Sequence, residues 1–577
     1  MSLISNAERF ARKTIRRIYA ARLPYPDWRR LLGSNFSSWK NLRQLDGPSK
    51  RVLLATSVGG HVGVATLDSL LALALTLRGA SVDVLLCDEI LPACEQCMVV
   101  RFAGDEDFIR NGPQRDICSA CFPQAEQMFR SLGINVYRYS QFLTPEDFRL
   151  AEEATNSLAV EQIAEHVHLG IPVGEHAYAG ALRYYARGTL DSEPHGEQVL
   201  RRYFRASLLT AAAATRLFKQ TNYVSASFHH GIYVPQGIIG AVARKSGVRV
   251  VNWMPAYRKK TFIFSHDNTY HHTLMTEPIS HWQEMVWTRQ AEDDLLNYLR
   301  SRWKGSEDWI SFNRNPEEDI ELIESELKLD KSKPIIGLLT NVVWDAQLHY
   351  PANVFPNMIE WLLETIRYFA TRPDLQLIVR IHPAELTGHI KSRQPALNEI
   401  QRAFPALPGN VFVIPPDSPI STYIVMGRAN AVLIYGTKTG VELTSLGIPV
   451  IVAGEAWIRN KGITMDPTSV IEYFRMLDQL PVADRMSAEM TDRARRYAYH
   501  FFFRRMIPLD FMIPADGVPP YRVQIAGAED LLPGKDVGLD VICDGIIKGT
   551  DFIYPAERLG EAATLPSKSS LVEVTAP

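Results

Sequence analysis

One pattern occurs twice in this chain and narrows the folds open to it. A continuous apolar run is followed by a glycine turn, an amphipathic helix and a second apolar run. At residues 51–58 the run is RVLLATSV and the turn is GGHVG. Leu67, Leu70, Leu71, Ala74 and Leu77 then share one helix face that stops at Gly79, and VDVLLC (82–87) is the next strand. Runs apolar on both faces suit parallel strands covered by helices on both sides. Further strands are expected at 135–140, 223–228 and 249–253, with residues 145–220 mostly helical. The pattern restarts at PIIGLLTN (334–341) and continues through QLIVRIHP (376–383), VFVIPP (411–416), AVLIYG (431–436) and PVIVAG (449–454). Helices such as Met358–Tyr368 separate these runs. Two Rossmann-like, doubly wound α/β domains facing a cleft are therefore expected, with ligands beyond the carboxyl ends of the strands.

The boundaries follow. Residues 1–45 form a basic helical segment, 46–290 the first domain, 291–330 a charged helical linker and 331–485 the second domain. Residues 486–577 hold a return helix, too aromatic to be a free tail, and an irregular terminal stretch. Within Met1–Arg22, Arg9, Arg12, Lys13, Arg16, Arg17 and Arg22 face one acid, Glu8, while Ile4, Ala7, Ala11, Ile15 and Ile18 recur at helical spacing. Such a helix can lie on an anionic membrane surface or dock on its own protein. The net charge of −2 offers no basic field for nucleic acid. No apolar run has membrane-spanning length, and no secretory h-region opens the chain, so a cytoplasmic protein with reduced thiols is expected.

The second domain carries the first candidate site. His382 ends a strand, and Pro383 stops it. In YGTKTGVELTSLGIPVIVAG (435–454) a strand ends at Gly436, and a Thr/Gly turn leads into a helix from about Gly440. Gly436 and Gly440 are expected to let backbone approach a ligand, and the helix start to attract phosphate. Thr437, Lys438 and Thr439 add hydroxyl and ammonium donors. Glu442 either closes a capping box with Thr439 or holds a ribose hydroxyl. His382 either faces a phosphate or is a strand-end histidine satisfied by backbone.

RIHPAE (380–385), the 435–454 stretch, NKGIT (460–464) and YAYHFFFRRM (497–506) together resemble bacterial capsule polysaccharide biosynthesis proteins. Those are glycosyltransferases of the GT-B type, similar in outline to the capsule Kdo transferases. The resemblance covers residues 330–510 and extends to the first half only in architecture. It implies a GT-B-like fold and a nucleotide-sugar donor held at His382, Thr437, Thr439 and Glu442. It also implies a polysaccharide or lipid-linked glycan acceptor, and catalysis without a bound metal. With the cytoplasmic expectation above, the basic N-terminal helix makes the inner face of the bacterial plasma membrane a further expected surface.

The first half should then hold the acceptor. His61, just after the first strand, either takes a proton from an acceptor hydroxyl or caps its turn. Asp88, with Glu89 after the second strand, is a rival base or a solvated strand exit. His229, His230 and Gly231 end another strand and either contact the acceptor or form a structural turn. The cluster His266, His271 and His272 reads as a polar surface strand.

Five of the six cysteines lie within 87–121. Cys94-x-x-Cys97 and Cys118-x-x-Cys121 have metal-ligand spacing, and a structural zinc stapling a loop insertion is expected. An iron–sulfur cluster also fits four cysteines, and core thiols are the third reading. Cys87 and Cys543 are expected to be inert.

Sugar transfer to a surface glycan is the leading function. A nucleotide-sugar 2-epimerase shares the two-domain form, but its usual paired acid after the glycine loop is missing, since Glu442 is followed by Leu443. A non-catalytic sugar-binding assembly component is the third reading.

Overall fold

The computed structural model describes residues 25–33, 39, 50–304, 307–309, 316–345, 350–388, 390–516 and 519–559. The basic segment Met1–Arg22 lies outside the described residues.

The first lobe opens with β1 (Arg51–Ser57), α1 (Val62–Leu77) and β2 (Ser81–Leu86), the expected β-α-β unit. Gly79 takes φ +79 in the turn after α1, which is why the helix stops there. The chain continues through α2 (Ser119–Ser131), β3 (Asn135–Arg138), α3 (Val173–Tyr185) and α4 (Gly196–Gln220). Next come β4 (Ser225–His229), α5 (Gln236–Lys245), β5 (Arg249–Pro255) and β6 (Thr261–His266). Strand order is β3-β2-β1-β4-β5-β6, parallel except for the antiparallel β5–β6 pair. The order reverses direction between β1 and β4, so their carboxyl ends diverge into a crevice.

After α6 (Arg289–Lys304) the second lobe repeats the plan with β7 (Ile335–Leu339), α7 (Met358–Ala370), β8 (Gln376–Arg380), β9 (Val411–Ile414), β10 (Ala431–Ile434), α8 (Thr439–Ser445) and β11 (Val450–Val452). Its five parallel strands are ordered β11-β10-β7-β8-β9. The reversal here lies between β7 and β10. The mixed α/β class with parallel-dominated, Rossmann-like sheets thus agrees with the sequence pattern.

Two strands of the first sheet escaped that pattern. β6, expected as a polar surface strand because of His266, is TFIFSH and is buried up to the histidine. Its outer neighbour is β12 (Ile507–Pro508), which returns from the far end of the chain. α9 (Ala488–Tyr499) leads into it through a π-helical turn, His500–Arg504. Tyr497, Phe501, Phe502 and Phe503 are at most 2% exposed there, and each buried ring is worth about 1.5–3 kcal/mol. The return segment therefore ties the lobes together: Arg495 and Tyr497 of α9 bond the Ser445 and Trp457 carbonyls of the second lobe, while β12 extends the sheet of the first. The stretch beyond it was expected to be irregular, yet it forms α10 (Val537–Lys548), which buries Leu539, Ile542 and Ile546. No described helix is long and apolar enough to cross a membrane.

Candidate active site in the interlobe cleft

In the second lobe, β7, β8 and β10 end side by side at Thr340-Asn341, Ile381-His382 and Tyr435-Gly436. Backbone-to-side-chain bonds tie the three exits. The His382 N–H donates to Thr340 Oγ1 at 3.0 Å, and the Gly436 N–H to Asn341 Oδ1 at 3.4 Å. The His382 ring is oriented by its own turn: Nδ1 accepts the Ala384 N–H at 3.1 Å. A neutral His382 therefore carries its proton on Nε2. Burial pushes its pKa down to about 4, and the nearby Lys438 and Arg380 charges add to this. At neutral pH the ring is an uncharged N–H donor.

The adjacent turn is less open to a ligand than its glycines suggest. Thr437 Oγ1 accepts the Thr439 N–H at 3.3 Å and donates to Thr439 Oγ1 at 3.2 Å. A Cβ at Gly436 would meet the Glu455 carbonyl oxygen at 3.3 Å, so the backbone is close-packed at the strand exit. Gly440 corrects the expectation of ligand approach. A Cβ there would stand 2.6 Å from Ile434 Cδ1, so this glycine lets α8 pack on β10.

Glu442 also differs from both of its expected roles. The residue before α8 is Lys438, and it makes no side-chain cap. Glu442 is 1% exposed. Its Oε1 accepts from Lys438 Nζ at 2.9 Å and lies 3.2 Å from Arg302 Nε. Burial alone would raise its carboxyl, but Arg302 and Lys438 outweigh burial and hold it at about 2. Arg302, supplied by α6, is shared with Asp308. Lys438 Nζ lies 4.8 Å from the centre of the Tyr257 ring of the first lobe. Glu442 is thus the centre of a buried charge cluster that fixes Lys438 and joins α6 to α8.

The first lobe presents histidines at its own reversal point. His61 precedes α1, follows β1, and accepts the Val64 N–H at its Nδ1, 3.4 Å away. Its ring lies 5.1 Å from that of His229 at the end of β4, and His229 lies 5.6 Å from His230. His230 at φ 64 and Gly231 at φ 80 make the sharp turn that places these rings. Burial, helped by Arg183, lowers His61 and His230 to about 4. Burial and the two neighbouring histidines push His229 well below the ordinary imidazole value. The buried Nδ1 of His229 has no hydrogen-bond partner.

Asp88 is not part of this group. It accepts hydrogen bonds from the Ser140 N–H, at 3.1 Å, and from the Ser140 hydroxyl. That places it on the β2–β3 side of the sheet, one strand from the reversal, where it caps a turn.

Several cleft residues carried no sequence signal strong enough to single them out. Asn341 and Thr340 were visible only as the end of a strand. Tyr233 donates to Asp345 Oδ1 across the cleft at 3.1 Å, and His272 of the first lobe pairs with Glu455 of the second at 3.1 Å. Glu95, inside the first Cys-x-x-Cys pair, is 5% exposed. It accepts from Gln236 Nε2 at 3.1 Å, and its N–H donates to the Val234 carbonyl at 2.9 Å. The cysteine loop therefore packs under the turn that carries His229. Among the described residues no three Cys, His, Asp or Glu side chains are placed to hold a single metal ion. His266 bonds the Thr550 carbonyl at 2.8 Å, and the His271 side chain lies outside what is described.

No protein-family model matches this chain, and no curated protein matches it. Solved structures give distant alignments. The Thermosulfurimonas dismutans KpsC β-Kdo 2,4 transferase aligns at 12% identity and TM-score 0.32, over 48% of this chain and 79% of its own. The Neisseria meningitidis UDP-GlcNAc 2-epimerase bound to UDP-GlcNAc aligns at 11% identity and TM-score 0.21, over 78% and 95%. The Methanocaldococcus jannaschii UDP-GlcNAc 2-epimerase, in complex with UDP-GlcNAc and UDP, aligns at 11% and 0.25, over 77% and 98%. At such scores the likeness carries no weight in assigning an activity.

Proposed function

We propose that this protein is a GT-B-type glycosyltransferase that moves a sugar from a nucleotide-activated donor to a glycan acceptor, without a catalytic metal. The observation that carries the reading is the facing of two strand-reversal crevices, one lined by neutral histidines and one by cationic and N–H donors. A donor phosphate would sit at the second lobe, taking hydrogen bonds from His382 Nε2–H and from Thr437 and Thr439, with Lys438 supplying positive charge. Donors that are already oriented stabilise the negative charge that builds on a departing phosphate.

The acceptor hydroxyl would lie against the His61–His229 pair. A general base has to be unprotonated, and both rings are held neutral. His61 Nδ1 already serves α1, so His229, with its unpartnered Nδ1, is the better base of the two. The proton passes from the acceptor oxygen to the imidazole as that oxygen attacks the anomeric carbon, and the nucleotide leaves with the bonding pair. The epimerase reading has no comparable support, because Glu442, the one acid of the glycine turn, is committed to Arg302 and Lys438.

The test is a thermal-shift screen against CMP, UMP, UDP and GDP, followed by product analysis. A ligand that binds only the folded state must stabilise it. One nucleotide should raise the melting temperature, and the matching nucleotide-sugar should release free nucleotide only when acceptor is present. Epimerised sugar without acceptor, or no nucleotide binding at all, would overturn the reading.

A further inference from the structure

We infer, on the transferase reading of the cleft, that Arg101 and Arg183 form an anion subsite beside the proposed base, so that the acceptor carries a carboxylate or phosphate group close to its reacting hydroxyl.

The loop inside the first Cys-x-x-Cys pair brings the two guanidiniums together. Arg183, on α3, donates to the Glu95 carbonyl, and Arg101 Nη1 donates to the Gln96 side-chain oxygen at 2.7 Å. Consecutive loop residues thus anchor both arginines. Arg183 also lies 5.1 Å from the centre of the Tyr233 ring, which is 5.2 Å from the His230 ring. The row of rings continues through His229 to His61. Both arginines and all three histidines are half-buried, so the group forms a wall of the crevice rather than part of the core.

The charges along this wall are unbalanced. An arginine has five N–H donors. Among the described residues each of these side chains gives one hydrogen bond and forms no ion pair. The Glu95 carboxyl lies within reach of Arg183, but burial raises it and Gln236 Nε2 already bonds it. Asp345 faces His230 across the cleft and accepts from Tyr233. Cys121, near Arg101, is pushed up by burial and stays a neutral thiol. Burial and the Arg183 charge both work against the charged form of Arg101. Two like charges in a half-buried crevice repel, and an oxyanion bound between them relieves that repulsion. The planar guanidinium fork matches carboxylate and phosphate geometry.

The position also bears on the proton. An anion held here opposes the Arg183 charge, which adds to burial in lowering His61 and His229. The base then gains proton affinity when the acceptor is bound, and a general base works best with a pKa near the operating pH.

The test is NMR titration of the full chain with methyl glucuronide, methyl glucoside and glycerol phosphate. At least one of the two anions should bind, and the neutral glucoside should bind at least about 10-fold more weakly. Glucuronide alone would assign the charge to an acidic sugar, glycerol phosphate alone to a phosphate-linked acceptor, and both to an oxyanion of either source. Arg101→Gln and Arg183→Gln should each weaken anion binding at least about 10-fold while still unfolding cooperatively on heating. His382→Ala should leave it unchanged, which separates this subsite from the donor phosphate site. If Arg183→Gln does not fold, Arg101→Gln decides alone. Anions that bind no better than the glucoside would overturn the inference, as would anion binding that survives in the folded arginine variants or disappears in His382→Ala. Nucleotide binding without anion binding would sink this inference alone, and anion binding without nucleotide binding would sink the donor reading alone.

Discussion

Tyr233 and Asp345 meet across the cleft at 3.1 Å, and each follows the strand at which its own sheet reverses. Tyr233 lies in the turn after β4, three residues past His230. Asp345 lies in the loop after β7, close to Thr340 and Asn341, which tie down the exits of β8 and β10. One hydrogen bond therefore joins the two crevices. The Arg183 guanidinium lies 5.1 Å from the centre of the Tyr233 ring and helps keep the neighbouring histidines neutral. The chemistry proposed for the cleft rests on this facing of the two lobes.

His382→Ala should remove most of the thermal shift produced by the stabilising nucleotide. A hydrogen bond to a charged group is worth about 1.5–3 kcal/mol, which corresponds to a rise in Kd of roughly 10- to 100-fold. Isothermal titration of the folded variant checks this. An unchanged affinity would remove His382 from the phosphate site.

The two first-lobe histidines should separate under substitution. His61→Asn keeps a side chain able to cap α1 and should leave at least a tenth of kcat. His229→Ala removes the proposed base, and general-base catalysis is typically worth about 10²–10⁴-fold. Equal losses in both variants, with unaltered folding, would mean that the proton goes elsewhere.

Glu442→Ala should destabilise the protein strongly whatever the cleft binds. It would leave Arg302 and Lys438 buried without their shared carboxylate, and breaking a buried pair costs about 3–5 kcal/mol. Urea denaturation measures the loss. Replacing Lys438 with Met in the same chain should recover part of it, because one of the two stranded charges is then gone.

Asp68 gives a pH prediction. It is fully buried in α1 and accepts from Thr56 Oγ1 at 2.7 Å and from Trp253 Nε1 at 3.1 Å. Burial raises its carboxyl from 3.8 to about 7, although both hydrogen bonds oppose the rise. The folded state thus binds this proton more tightly than the unfolded state does. Its contribution to stability is complete below pH 3.8 and is lost as pH rises through about 7. Asp68→Asn removes the titration, so the stability of the variant relative to wild type should increase from pH 5 to pH 8. Parallel curves would show that Asp68 does not titrate in this range.

Ten strands and their connecting helices were readable in the amino-acid order, because the alternation of apolar runs, glycine turns and amphipathic helices is a local property. Strand ends followed from the same signals, and so His61, His229, His382 and Gly436 could be named as residues at the mouths of the sheets. Neighbouring residues along the chain do not record which mouths face each other. Arg302 reaches Glu442 from a helix that read as a linker, β12 joins β6 from the far end of the chain, and Arg183 reaches the Glu95 carbonyl from α3. Ion pairs, strand pairing and long-range hydrogen bonds depend on distances set by packing between distant segments, and only the folded chain decides them.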